Sequence, residues 1–480
     1  MAGGICALAV WFFTAHGWAY YWGDGEAHLN IARRLLDTPA LGWDQLGSPW
    51  LPLPHFLIAP FAAVDAWWQN GLAGSIPTAA CFAAAAIFLF AAVREALQST
   101  ASAWTAMLVL VLNPNALYLA SAAMTEAVFA AALCGLLYFT VRFPKSQSLV
   151  HAAAAGLCGL AITWTRYDGW FLLPFCAVYF IVQGKNKWKP ALVFSFIAGV
   201  GPVLWIFYNW WLTGNPLDFF NGPYSAKAIQ GAASYPGLHD WMQARLYYVT
   251  CAELVLGRPL FWLAAIGLFA AAARRAWWPV LLLALSPLFY IWAMHSAGNP
   301  IFVPDLWPHS WYNTRYGLAA LPLAAFSVAA ITRSKWAPAL VLIGIYPWLR
   351  HPSQENWITW KEAEQNSISR LAWTRAAATY LRERVHPGEH IAAEFDDTIG
   401  IFRYSGIPLR QVFHPGDGLQ FEAAVQHPDL FLETTWVVCQ RSHFSALSRA
   451  MGNAHRYILV HTITVPKAPA LDIFHRQYTP

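Results

Sequence analysis

Two acidic residues separated by one glycine open the polar segment YYWGDGEAHLNIARRLLD, directly after the first apolar stretch. A carboxylate at Asp24 or Glu26 could take a proton from an acceptor hydroxyl. Alternatively, Asp24 caps a helix and Glu26 supplies a favourable first-turn charge. Glu126 stands in NPNALYLASAAMTEAVFAAALCGLL, where a carboxylate near hydrocarbon is costly unless it meets a polar cavity or a partner. Its competing role is a capping box with Thr125 at a helix start. In TWTRYDGWFLLP, Arg166 is a permanent planar cation suited to gripping phosphate with two parallel bonds, and Asp168 could instead pair with it locally. HSWYNTRYGLAALPLAAF carries Arg315 beside Tyr312, Asn313 and Tyr316, where an arginine either serves chemistry or snorkels to headgroups. Trp43, Trp50 and His55 offer faces on which a pyranose ring could stack, although tryptophan is also the ordinary anchor of a membrane interface. No Cys or His spacing marks a metal site, and the remaining histidines read as structural.

The elements that must carry these groups are written in the composition. Of 480 residues, 58% are hydrophobic and 11% charged, against roughly 25% charged in an ordinary soluble domain. The net charge of +5 is scattered rather than gathered into a basic stripe, which argues against nucleic acid. Apolar stretches near 2–22, 75–95, 101–120, 123–141, 149–165, 168–184, 189–212, 248–273, 277–296, 315–333 and 336–350 suggest about eleven membrane-spanning helices. The first of these lacks a basic leader and a small-residue cleavage site, so it reads as a retained helix. With the N-terminus in the cytoplasm, the inside turns carry Arg94, then Arg142 and Lys145, Lys185 to Lys189, Arg274 and Arg275, and Arg333 and Lys335. This agrees with the rule that inside loops are basic. The segments 23–74, 213–247, 297–314 and the tail then lie outside, and they hold nearly all the acidic residues.

Two domains are expected: a transmembrane domain over 1–350 with a large first outer loop at 23–74, and a soluble α/β domain over 351–480. The first loop should form an interfacial helix, with Leu29, Ala32, Leu35 and Leu36 on one face and Glu26, Asn30, Arg33, Arg34 and Asp37 on the other. In the tail, SRLAWTRAAATYLRERV has helical apolar spacing at Leu371, Thr374, Ala378 and Leu381. HIAAE, WVVC and YILVHTITV read as strands between helical FDDTIGIFRYSG and HFSALSRAM.

The ordered series GDGEAHLNIARRLLD, LGSPWLPLPHFL, AMTEAVF, TRYDGWFLLP and YNTRYGLAALP resembles the GT-C superfamily of membrane glycosyltransferases. Its bacterial members include relatives of protein O-mannosyltransferases and aminoarabinose transferases. IGIFRYSGIPLRQVF is similar to the soluble end of a group of bacterial GT-C proteins. The resemblance implies a multi-pass protein of the bacterial inner membrane with a periplasmic C-terminal domain. It implies an inverting transfer of a sugar from a polyprenyl-phosphate carrier to an acceptor hydroxyl. Asp24 or Glu26 would then be the general base, Glu126 a carboxylate that orients donor or acceptor, and Arg166 and Arg315 the groups that neutralise the leaving phosphate. Tyr316, Asp168, Trp50 and His55 would complete the substrate site, with the acidic and guanidinium groups meeting in one wet pocket. Many relatives have adjacent acidic residues in the first loop, whereas Gly25 separates the pair here, which leaves both open as the base. A divalent metal is an open requirement, no protein cofactor is implied, and the partners are the lipid carrier and an acceptor. Two other classes fit the composition: a transporter or flippase of lipid-linked sugars, and a non-catalytic membrane scaffold. A transporter would show internal repeats and broken helices at the bilayer midplane, neither of which is evident in the sequence.

Overall fold

The computed structural model describes residues 1–477 apart from Ala232, Arg333, Asp396, Asp397, His443 and Phe444. Arg333 of the last basic turn, the acidic pair of FDDTIGIFRYSG and the first two residues of HFSALSRAM therefore lie outside the described residues.

Each apolar stretch is helical, but the helices differ in reach. Leu72–Leu97, Glu126–Ser146, Trp188–Thr213, Trp277–Ser296 and Thr314–Ile331 are long and apolar enough to cross a bilayer unaided. Two more spans qualify only as bent pairs: Thr100–Val111 with Pro114–Ala120, at 66°, and Trp241–Leu256 with Arg258–Ala273, at 111°. Ala2–Ala15, Leu149–Thr163, Asp168–Gln183 and Ala337–Arg350 are apolar helices of 10–17 residues. At about 1.5 Å per residue each falls short of a hydrocarbon core roughly 30 Å thick. Among the described residues, five helices, or seven counting each bent pair as one span, are long and apolar enough to cross a membrane, in line with a membrane protein.

The two bends correct the expectation of unbroken spans at 101–120 and 248–273. Gly257 sits at φ +79°, which an L side chain rarely adopts, and Pro259 follows at the start of the next helix. Breaking a helix frees backbone carbonyls, and among apolar helices they need protein partners. Asn113 and Asn115, at the other break, both donate from Nδ2 to the Val255 carbonyl, at 3.0 and 3.1 Å. Asn113 Oδ1 also accepts from Ala116 N and caps the helix Pro114–Ala120, while Asn115 Oδ1 accepts from Thr359 N at 3.1 Å. Protein side chains thus fill the broken backbone positions.

The chain divides into two compact units. The first comprises Met1–His16, Ser48–Pro54 and Ser75–Glu362, and the second Gly17–Gly47, His55–Gly74 and Ala363–Pro480. The division expected near 350 falls at 362, and most of the first outer loop belongs to the same unit as the C-terminal part.

The second unit holds a five-stranded sheet of β1 (Ile391–Ala393), β2 (Val412–Phe413), β3 (Trp436–Gln440), β4 (Tyr457–Ile463) and β5 (Leu471–Arg476). Its order is β2-β1-β3-β5-β4, with β1 parallel to β2 and β3, and β5 antiparallel to β3 and β4. The three expected strands are β1, β3 and β4; β2 and β5 are additional. Phe421, Val437, Cys439, Leu447 and Tyr457 form its core. In the helix Ile358–Arg382, Leu371, Thr374, Ala378 and Leu381 are all buried, as their spacing required.

The first-loop helix Gly23–Arg34 departs from expectation, because its polar face is buried along with its apolar one. Arg33 donates to Asp37, to the Ala62 carbonyl at 2.7 Å and to Asp65 at 2.6 Å. Asp37 in turn accepts from Leu409 N and from Arg410. Charged partners within the unit have replaced water on that face, while Leu36 of the expected apolar face is 48% exposed.

Replacing Asn115 by Ala strips Thr359 N of its acceptor and the Val255 carbonyl of one donor. We expect a loss of about 1–3 kcal/mol, measured as a lower thermal unfolding midpoint of the detergent-purified protein. An unchanged midpoint would show that the breaks do not need this asparagine.

Candidate functional site

The first unit contains a cavity of about 600 Å³, counting its open mouth. Phe82, Leu110, Phe129, Leu133 and Leu321 are among its apolar lining residues, and Glu126, Arg166, Asp168, Tyr290, Arg315 and Tyr316 are its charged and tyrosine ones.

Each polar group is delivered by a feature of the local sequence. Glu126 opens the helix Glu126–Ser146 after the non-helical link Ser121–Thr125. Ser75 Oγ donates to the Ser121 carbonyl at 2.6 Å, and Thr78 Oγ1 donates to the carbonyls of Ala120 and Ala122, which fixes that link. Thr125 makes no side-chain cap, so the capping box is not formed; its hydroxyl accepts from Arg166 Nη1 at 2.7 Å instead. Arg166 is carried on the turn between Leu149–Thr163 and Asp168–Gln183. That turn closes tightly enough that a Cβ on Gly169 would lie 2.9 Å from backbone atoms of Ile162. Tyr167 pins it by donating to the Pro49 carbonyl at 2.9 Å. Arg315 and Tyr316 come from the 3₁₀ turn Thr314–Ala320, and Tyr290 from the helix Trp277–Ser296.

Arg166 is the hub of the cluster. Its Nη1 donates to Glu126 Oε1 at 2.9 Å, its Nε faces Asp168 Oδ1 at 3.3 Å, and its Nη2 donates to the Tyr290 hydroxyl. The local Arg166–Asp168 pair foreseen from sequence is therefore real, yet it is one spoke of several. Arg315 stands farther from the same carboxylate, with Nε 3.7 Å from Glu126 Oε1. Both guanidiniums lie over the Tyr316 ring, at 5.5 and 5.4 Å, and Tyr316 stacks on Tyr290 at 4.5 Å. The side chains of Glu126 and Asp168 are only 14% and 3% exposed, so their charges depend on these partners. Even so, Glu126 Oε2 and Asp168 Oδ2 are buried without a hydrogen-bond partner among the described residues. The cluster thus leaves two strong acceptors over for something that enters the cavity.

Five of the residues singled out from sequence, Glu126, Arg166, Asp168, Arg315 and Tyr316, line this one cavity. Trp50 is half-buried in the first unit and is not among the cavity residues. Asp24, Glu26 and His55 belong to the second unit. Glu26 is buried between Arg370 and Arg403, which bond one oxygen each. Burial alone would push its carboxyl up, and the two guanidiniums outweigh that and hold it below the usual carboxylate range. Such a group is a poor proton acceptor. Asp24 lies inside the first turn of its helix, half-exposed, and the N-cap is Trp22 rather than Asp24. His55 is wholly buried and shares a 2.9 Å hydrogen bond with His28, which leaves it no surface for a sugar. Trp43 is exposed and meets Phe56 edge-on.

Sequence reasoning missed Tyr290. It sits in WWPVLLLALSPLFYIWAMHS, where one tyrosine in an apolar run looks like an interface anchor, and only its contact with Arg166 singles it out. Among the described residues no group of three or more His, Cys, Asp or Glu could share a metal ion.

Neither a family model nor a curated protein matches the chain. Solved structures do. The aminoarabinose transferase ArnT from Cupriavidus metallidurans bound to undecaprenyl phosphate aligns over 98% of both chains, with 13% identity and a TM-score of 0.60. The same protein in its apo state aligns over 97% of both, with 13% identity and a TM-score of 0.58. The oligosaccharyltransferase of Archaeoglobus fulgidus in complex with Zn and sulfate aligns over 98% of this chain and 73% of that one, with 13% identity and a TM-score of 0.47. The fold is that of the GT-C glycosyltransferases, as the ordered sequence segments implied.

Removing Arg166 would strand two buried carboxylates. Arg166→Ala should therefore cost about 3–5 kcal/mol, read as a fall in thermal unfolding midpoint. Arg166→Lys should recover little, because a single ammonium cannot reproduce the planar fork that meets Glu126, Asp168 and Tyr290 together. A lysine variant as stable as wild type would rule out that geometric role.

Proposed function

We propose that this protein is a glycosyltransferase that takes a sugar from a polyprenyl-phosphate carrier and passes it to an acceptor hydroxyl. One observation carries the reading: a cavity lined by apolar side chains together with two arginines, two carboxylates and two tyrosines, in a chain with the GT-C fold. An isoprenoid phosphate combines the same two chemistries, a hydrocarbon tail and a compact anion. The solved ArnT structure bound to undecaprenyl phosphate supports that choice of ligand.

In the transfer, the acceptor oxygen forms a bond to the anomeric carbon as the bond from that carbon to the phosphate oxygen breaks. The lipid phosphate leaves with the bonding pair, and the hydroxyl proton passes to a carboxylate. Attack from the face opposite the leaving group inverts the anomeric centre. Arg166 is committed to Glu126, Asp168 and Tyr290 and so organises the cluster. Arg315, whose ion pair with Glu126 is longer, turns to the phosphate and offsets its growing charge. Glu126 and Asp168 have carboxylate oxygens left to hold sugar hydroxyls. Of the two first-loop carboxylates, we carry Asp24 forward as the general base, since Glu26 is held by two arginines. We further place the protein in the bacterial inner membrane, with its N-terminus cytoplasmic and its C-terminal domain periplasmic.

The sugar can be identified by mass spectrometry of envelope glycans from cells with and without the gene. In transfer assays with that donor, Arg315→Ala should slow turnover by roughly 100-fold or more, as loss of a charge-stabilising donor does. Asp24→Asn should slow it by about 10²–10⁴-fold, and Glu26→Gln should act through stability rather than through the pH profile. Transfer at the wild-type rate by the Asp24 variant would reject it as the base. The transporter class retains one argument, because broken helices occur in transporters and two bent pairs are present. Movement of the lipid-linked donor across sealed vesicles without acceptor would decide for that class.

A further inference from the structure

Arg315 follows two residues whose backbone is held from far along the chain. Glu362 is 2% exposed and lies in the helix Ile358–Arg382. One of its oxygens, Oε1, accepts from Asn313 N at 2.7 Å, and the other, Oε2, accepts from Thr314 N at 2.7 Å and from Thr314 Oγ1. Asn313 has φ +56°, in the left-handed region that asparagine enters more readily than most non-glycine residues. Two further bonds restrain the same turn: Asn313 Nδ2 donates to the Pro300 carbonyl at 2.9 Å, and Cys251 Sγ donates to the Thr314 carbonyl at 3.1 Å.

We propose that Glu362 is a positioning residue for Arg315, holding the turn at Asn313 and Thr314 so that the guanidinium faces the cavity. The inference rests on the reading of Arg315 as the phosphate-binding group. Its chemistry is specific, because both carboxylate oxygens accept from backbone N–H groups that cannot rotate away. A glutamine would turn an N–H towards one of those donors and break the match, although its size is nearly the same. Burial pushes the carboxyl up to about 7, with the Thr314 hydroxyl, Arg315 and the two backbone donors pulling against it.

The test is a double-mutant cycle on the full-length protein in detergent, with undecaprenyl phosphate as the probe and its binding as the readout. Arg315→Ala should weaken binding by roughly 10-fold to 100-fold and Glu362→Gln by about 3-fold to 10-fold, while the double variant binds no worse than Arg315→Ala alone. Unfolding midpoints are recorded for all three, because a purely structural residue would lower stability without coupling to Arg315. If the two losses multiply, Glu362 does not act through Arg315 and the inference is overturned alone. If Arg315→Ala binds as tightly as wild type, the phosphate reading falls and takes the inference with it. Should Glu362→Gln fail to fold, Thr314→Val removes only the hydroxyl donor and enters the cycle in its place, with the same two outcomes.

Discussion

A charge withdrawn from water must be met by an opposite charge or by hydrogen-bond donors, and both units are arranged around that cost. In the second unit, Glu26 is enclosed by Arg370 and Arg403, and Arg33 by Asp37 and Asp65. In the first, Arg166 gathers Glu126, Asp168 and Tyr290. The two arrangements differ in completeness. Both Glu26 oxygens are bonded to guanidiniums, whereas Glu126 Oε2 and Asp168 Oδ2 are buried without partners among the described residues. The spare acceptors at Glu126 and Asp168 belong to residues that line the cavity, whereas the atom left over beside Glu26 is a donor, Arg403 Nε.

The same economy governs the backbone. Two helix pairs are bent, and the Val255 carbonyl released at one break is taken up by Asn113 and Asn115 at the other. Asn115 also receives Thr359 N, so this polar junction ties the helix breaks to the start of the helix that carries Glu362. The rigidity needed at Glu126 and Arg315 thus comes from side-chain hydrogen bonds that replace regular helix bonding, through Ser75 and Thr78 on one side and Glu362 on the other.

The electrostatic balance of the cavity bears on its ligand. Two guanidiniums and two carboxylates among the cavity residues balance in formal charge, so an anionic ligand of the kind proposed would be recognised locally rather than attracted from a distance. Arg315 Nε stands 3.7 Å from Glu126 Oε1, a longer contact than the 2.9 Å between Arg166 and the same oxygen. The Tyr316 ring lies against both guanidiniums and stacks on Tyr290.

Sequence alone determined the membrane class, the small α/β tail and the ordered GT-C segments, because hydropathy, periodicity and short motifs are local properties. It also marked Glu126, Arg166, Asp168, Arg315 and Tyr316, since a charge beside hydrocarbon is conspicuous wherever it occurs. It could not separate Glu126 from Glu26, two carboxylates with similar flanks, because the difference lies in partners more than 300 residues away for Glu26, at Arg370 and Arg403. Nor could it mark Tyr290 or Glu362, whose types are ordinary where they stand, or the helix breaks, whose cost depends on Asn113 and Asn115 reaching Val255. Which charges are tied off and which remain open is decided only when distant segments meet, since neutralisation is a matter of a few ångströms and those distances belong to the fold.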